Sequence, residues 1–254
     1  HFSLDALLVP AKIIATPPPI QPGMDSLDPS LIQQSFGFDP AVPELYSEFF
    51  GPTFTLLEAL SNGANLCLVG YPGTGKTTAI AECIILLSRQ EESEEETDLK
   101  IPFYVKAHHI LAQFPGSDIL GILLTAIQSN KVFLTAPNFA RYFTSTINEG
   151  NGVLFIDDMD LLSRTDLRRL TNFISALCNQ IPSLQIVATG SPTDLGYLYQ
   201  SPLELVSIYP WGNAEKYSYL KKFSQAWEET QVPDGQRSVG RAAIKNSMLV
   251  VSDP

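Results

Sequence analysis

The stretch Asn65-Leu-Cys-Leu-Val69-Gly70-Tyr71-Pro72-Gly73-Thr74-Gly75-Lys76-Thr77-Thr78 decides how the rest of the chain is read. Five residues of mostly apolar character, Asn65 to Val69, have the length and bounding of a buried strand. They run straight into a glycine-rich turn, and Lys76 to Leu87 (KTTAIAECIILL) then reads as a helix. Gly70 to Thr77 matches G-x-x-x-x-G-K-[ST] at every position. Glycines let the backbone wrap closely around an anion at angles that other residues resist. The amides of Gly73 to Thr77 then point inward, and the partial positive charge of the helix N-terminus adds to the site. This is a polyphosphate cradle. Lys76 is expected to place its charge on the β- and γ-phosphates, and the Thr77 hydroxyl to ligate Mg²⁺. Gly70, Pro72, Gly73, Thr74, Gly75 and Thr78 complete the expected nucleotide-binding set.

A second constellation lies some 80 residues downstream. Val153-Leu-Phe-Ile156-Asp157-Asp158-Met159-Asp160 is an apolar strand that ends in three closely spaced carboxylates. Open parallel sheets bind ligands at the carboxyl ends of their strands, so Asp157 is expected at the same edge as the P-loop, facing the metal directly or through water. A carboxylate one to three residues further on can orient an attacking water, and Asp158 and Asp160 both qualify. Thr189, at the end of the apolar run Leu184–Thr189 (LQIVAT), has two readings. Its hydroxyl faces the γ-phosphate, or the residues after it form a turn capped by Ser191. Arg164, Arg168 and Arg169 flank the acidic strand end; they are either solvated charge or an arginine finger toward a neighbouring subunit. His108 and His109 lack a second ligand pair and read as structural.

Further elements follow from periodicity and punctuation. Thr53–Ser61 reads as an amphipathic helix, and Pro102–Lys106 (PFYVK) as a strand. Helices are expected over Ser117–Ser129, with Ser117 as N-cap, and over Pro137–Asn148. Gly152–Ile156 is the strand that carries the acids. Ser163–Asn179 reads as a helix opened by a Ser163/Asp166 capping box, with Leu167, Leu170, Ile174 and Leu177 in one stripe. Leu205–Ile208 is a short fifth strand, and Asn213–Glu229 a helix. Strands alternating with helices imply an α/β, three-layer P-loop NTPase with a mostly parallel central sheet, followed by the start of a small helical domain. The expected division is 1–43 as a proline-rich arm or linker around Pro17-Pro18-Pro19, 44–209 as the nucleotide-binding domain, and 210–254 as the start of a helical lid.

The whole chain sets further limits. It has 254 residues, 44% hydrophobic and 17% charged, and a net charge of −11. Nucleic-acid binding through this domain needs a basic stripe, which this balance opposes. Glu91, Glu92, Glu94, Glu95, Glu96 and Asp98 concentrate much of the excess in a run that reads as a solvated loop or an acidic docking segment. No apolar run approaches the ~20 residues of a membrane span. Cys67, Cys83 and Cys178 have no CxxC spacing and read as reduced thiols, which implies a cytoplasmic protein. An opening His1-Phe2 in place of Met implies a piece of a longer chain or a tag remnant.

With those residues in hand, positions 44–230 resemble the STAND class of P-loop ATPases, and the NACHT family most. Besides the P-loop, the likeness rests on Pro102-Phe-Tyr-Val-Lys106, on Ile147-Asn-Glu-Gly150 ahead of the acidic strand, and on Leu184–Pro192. It also rests on Tyr209-Pro210-Trp211 with the helix behind it. The family typically has an aspartate, a small residue, a hydrophobic residue and a further acid; here Asp158 replaces the small residue, as in the related NB-ARC group. Leu161 stands where a second acid is common, and Ser191 where a sensor arginine stands. The resemblance implies ATP with Mg²⁺, slow hydrolysis, and a switch that controls assembly through other domains and nucleotide-dependent self-association. The alternatives are an AAA+ ATPase of the transposition type and a nucleotide-binding scaffold with little hydrolysis.

Overall fold

The computed structural model describes residues 7–16, 52–90, 100–114, 118–129 and 137–229. Seven strands form one sheet: β1 Lys12–Ala15, β2 Phe54–Thr55, β3 Leu66–Val69, β4 Ile101–Lys106, β5 Gly152–Asp157, β6 Gln185–Gly190 and β7 Glu204–Ile208. Their order is β2-β1-β7-β3-β6-β5-β4. The five strands β7-β3-β6-β5-β4 are parallel throughout, and the short β1 and β2 extend the β7 edge in antiparallel pairing.

The helices are α1 Leu56–Ser61, α2 Lys76–Gln90, α3 Ala107–Leu111, α4 Ile119–Gln128, α5 Pro137–Asn148, α6 Arg164–Gln180, α7 Leu195–Leu198 and α8 Asn213–Glu229. Helices α3 to α7 pack one face of the sheet. Leu123, Phe143, Ile147, Leu170, Ile174 and Leu198 form one cluster with the strand residues Phe103, Val105, Leu154, Ile156, Ile186 and Ala188. Leu66, Leu68, Phe155 and Val187 alternate with those strand positions and are equally buried, as are Leu60 of α1 and Ile80 and Leu87 of α2. These belong to the opposite layer. The architecture is therefore α/β, with helices on both faces of a mostly parallel sheet.

Most expected elements form where the sequence places them. Ser163 caps α6, its Oγ accepting from the Asp166 amide at 3.2 Å, and Leu167, Leu170, Ile174 and Leu177 are buried on one stripe. Three expectations need correction. The helix expected from Thr53 begins at Leu56: Phe54–Thr55 pair with β1, and Thr55 caps the helix through a reciprocal bond set with Glu58. Helix α4 is capped by Asp118, which accepts from the Gly121 amide at 3.0 Å; Ser117 lies outside the described residues. Lys12–Ala15 is no linker, because Ile13 and Ile14 are fully buried and the strand pairs with both β2 and β7. The acidic run 91–98, the proline-rich stretch 17–43 and the tail beyond 229 also lie outside the described residues.

The chain divides into two compact units, one spanning Lys12–Ile208 and one made from the two chain ends. In the second, Trp211, Tyr219, Phe223 and Trp227 form a consecutive row of ring contacts along α8. Lys222 of α8 donates to the Leu8 carbonyl. Among the described residues no helix is long and apolar enough to cross a membrane.

One close approach in the sheet yields a stability prediction. A Cβ on Gly190 would lie 2.6 Å from Leu198 Cδ1 and 3.0 Å from Cys67 Sγ, both in buried side chains. Gly190→Ala is therefore expected to overpack the core at a cost of about 1–3 kcal/mol. Thermal denaturation should show a lower Tm, by about 2–4 °C per kcal/mol for a domain of this size.

Candidate active site

Strands β3, β5 and β6 run parallel, so Val69, Asp157 and Gly190 all end at one edge of the sheet. The P-loop leaves β3 at that edge and opens α2. Gly73 (φ 86°) and Gly75 (φ 92°) occupy the left-handed region, which a side chain disfavours. At Gly70 the constraint is space, since a Cβ would sit 2.5 Å from Thr74 Oγ1. The Thr74 hydroxyl folds back to donate to the Tyr71 carbonyl at 2.9 Å, and the Gly70 amide donates to the Gly190 carbonyl at 3.2 Å. The loop is thus braced both by itself and by β6.

Lys76 is buried, at 7% exposure. Its ammonium donates to the carbonyls of Gly70 (2.7 Å) and Tyr71 (3.2 Å) and pairs with Asp160 Oδ2 at 3.1 Å. Three acceptors match the three donors of an ammonium. Any anion taken up by Lys76 would exchange for part of this set. Two protein carbonyls and one carboxylate hold the cation at the mouth of the cradle in the meantime.

The acids at the end of β5 are held in three different ways. Asp157 is 2% exposed. Its Oδ1 accepts from Thr189 Oγ1 at 3.0 Å and from the Asp158 amide at 2.9 Å, and its Oδ2 from the Tyr104 hydroxyl at 3.2 Å. Asp158 takes a left-handed conformation (φ 65°) and pairs with Lys106 at 2.8 Å. Aspartate is one of the few side chains that tolerates this region, and residues held in such conformations cluster at functional sites. Asp160 sits in the short 3₁₀ turn Met159–Leu161 and faces Lys76. Burial, and then the charge of Asp157, push the Tyr104 phenol above its ordinary pKa, so it stays a donor; the hydrogen bond to Asp158 holds the Lys106 ammonium above its own.

These residues line one cleft of about 360 Å³, within the range of small-molecule sites. Pro72, Gly73, Gly75, Lys76, Thr77 and Thr78 form one wall, and Asp157, Asp158, Asp160 and Leu161 the other. Gly70 and Thr74 act behind the cradle wall, as described. Thr189 is fully buried and turned onto Asp157, so its hydroxyl reaches the strand-end acid and not an open γ-phosphate position. Ser191 does cap the following turn, accepting from the Thr193 amide at 3.2 Å. Arg169 pairs with Asp166 at 3.3 Å and lies 5.3 Å from the Phe114 ring centroid, an arrangement that occupies it within its own subunit. Arg164 and Arg168 are exposed. His108 and His109 contact each other edge to face in α3. Sequence reasoning missed the roles of Tyr104 and Lys106, which reach the acids from β4, and noted Leu161 as standing where an acid is common without placing it in the lining of the cleft.

The donor set fits a hydrated divalent cation. Asp158 and Asp160 each pair with a lysine, whereas Asp157 is met by three neutral donors and opens on the cleft opposite the exposed Thr77. One carboxylate and one hydroxyl, completed by substrate phosphates and water, is how proteins usually hold Mg²⁺. Cys67 lies behind the cradle, and burial pushes its thiol up to about 12, so it takes no part as a thiolate.

A family model described as an AAA domain matches residues 59–196, more than half of the chain. No curated protein matches it. Among solved structures the chain is similar to domain III of the Thermotoga maritima replication initiation protein DnaA. That match has 16% identity, 89% of this chain and 82% of that one, and a TM-score of 0.42. It is also similar to the Pif1 helicase of Candida albicans, at 14% identity, 71% of this chain and 44% of that one, with a TM-score of 0.37.

Proposed function

Because this chain belongs to the AAA domain family, we propose that it binds ATP with Mg²⁺ in the cleft between the P-loop and the β5 acids and hydrolyses it slowly. The observation that carries this reading is the meeting of the Lys76 ammonium, the Thr77 and Thr78 hydroxyls and Asp157, Asp158 and Asp160 around one cleft. The P-loop amides and Lys76 bind the phosphates, and Thr77 and Asp157 hold the metal side. When bound, Mg²⁺ would neutralise charge that develops on the transferring phosphoryl group. Asp160 orients the attacking water, supported by its 3.1 Å approach to the lysine that serves the β- and γ-phosphates. Asp158 is a second reading, favoured by its left-handed backbone. Thr189 supports the reaction through Asp157.

At the level of biology, we propose a STAND-class, NACHT-like switch domain of a regulatory protein. Residues 44–209 hold nucleotide, and 210–254 start a lid that responds to it. ATP occupancy favours self-association, with Arg164 or Arg168 offered to the neighbouring copy. Ser191 spends its hydroxyl on a turn where the NACHT-like pattern has a sensor cation, which supports slow turnover. The family match is compatible with a second reading, an AAA ATPase, whose transposition type rests on the Thr189-Gly-Ser-Pro192 turn alone, while the net charge of −11 opposes DNA contact.

Single-turnover hydrolysis, with and without duplex DNA, tests these readings alongside light scattering in ATP and in ADP. The switch reading expects slow hydrolysis indifferent to DNA, and a larger assembly in ATP than in ADP. DNA-stimulated turnover would favour the transposition reading. Binding without measurable hydrolysis would leave only a nucleotide-binding scaffold.

A further inference from the structure

Strand β4 carries no nucleotide-binding motif, yet it reaches Asp157, the acid proposed for the metal side. It pairs with β5 in the register Tyr104↔Phe155 and Lys106↔Asp157. Tyr104 therefore shares a sheet face with Asp157 and sits diagonally from it, a separation that a long aromatic side chain can span. The Tyr104 hydroxyl closes the gap with its 3.2 Å bond to Asp157 Oδ2.

An ionised carboxylate offers about four lone-pair sites. At Asp157, Thr189 and the Asp158 amide fill both sites on Oδ1, and Tyr104 fills one on Oδ2. One site remains, on Oδ2, and the residue lines the cleft. Turning the carboxylate about its last torsion would break all three bonds at once. The two bonds on Oδ1 come from β6 and the main chain, and the bond from Tyr104 is the one made directly to Oδ2, beside its remaining lone pair.

We infer that Tyr104 is a positioning residue that fixes Asp157 Oδ2 for a metal-bound water, so that magnesium affinity depends on β4. The inference rests on the ATP–Mg²⁺ reading of the cleft. Partners that orient metal-side ligands typically contribute about 10- to 100-fold to metal affinity. Losing a single neutral hydrogen bond belongs at the lower end of that range.

The test is calorimetric titration of a non-hydrolysable ATP analogue into the full chain, in EDTA and across a series of Mg²⁺ concentrations. Wild type is compared with Tyr104→Phe, which keeps the ring and removes only the hydroxyl, and circular dichroism confirms the fold of both. The expected result is analogue affinity in EDTA within about twofold of wild type, with the Mg²⁺ concentration for half-maximal tightening raised about 10-fold. A merely packing role for Tyr104 would leave that concentration unchanged, and this result would overturn the inference while the ATP–Mg²⁺ reading stands. Wild type that binds the analogue without any response to Mg²⁺ would overturn both.

Discussion

Asp160→Asn is expected to keep ATP binding near the wild-type level and to lower single-turnover hydrolysis by about 10²- to 10⁴-fold, the usual contribution of a general base. The reason is a difference between ground and transition states. Orienting and deprotonating water matters only as the bond to phosphorus forms, so its loss falls on turnover and not on affinity. Asp160 stands next to Lys76, the lysine proposed to meet the phosphates, whereas Asp158 faces Lys106 on β4. The Asp160–Lys76 pair also adds a signature. The amide cannot hold the ammonium as strongly, so ATP affinity should stay level or rise slightly. Asp158→Asn is the control: a turnover defect confined to it would move the base role two residues back along the chain. Normal turnover in both variants would remove both acids from the chemistry.

Lys76→Ala is expected to lower ATP affinity by about 10- to 100-fold or more, since each charge-assisted bond to phosphate is worth roughly 1.5–3 kcal/mol. The fold should survive. Lys76 bonds to loop carbonyls that water can serve once the side chain is gone, and Gly73 and Gly75 keep the loop conformation without it. Asp160 loses its partner but is close to solvent, at 14% exposure. Calorimetry on a variant with unchanged circular dichroism checks both statements. Unchanged ATP affinity in a folded Lys76→Ala protein would mean that the P-loop does not bind the phosphates.

What the sequence reveals here is what local spacing encodes. The P-loop is eight consecutive residues with fixed backbone demands, and the structure honours them at Gly70, Gly73 and Gly75. The β5 acids were legible because a short apolar run opened by Gly152 and stopping at Asp157 has the length and bounding of a buried strand. Sheet order is not encoded locally. That β4 lies beside β5, and β6 between β3 and β5, follows from pairing between segments well separated along the chain, as in Ile101↔Gly152 and Leu66↔Val187. Tyr104 and Lys106 therefore looked like ordinary strand positions, and Thr189 appeared free to face phosphate when its neighbour across the sheet is Asp157. Strand β1 was hidden for a different reason. Four residues, KIIA, run into Pro17-Pro18-Pro19, and their partners β2 and β7 lie far along the chain.

The account stands most directly on a titration of ATP into the unmodified chain with Mg²⁺ present, followed by calorimetry. One saturable site per chain, weakened when EDTA replaces Mg²⁺, is the result expected from a cradle that ends at Lys76 with Asp157 and Thr77 at the metal side. Absence of saturable binding at millimolar ATP, in protein shown to be folded, would contradict it.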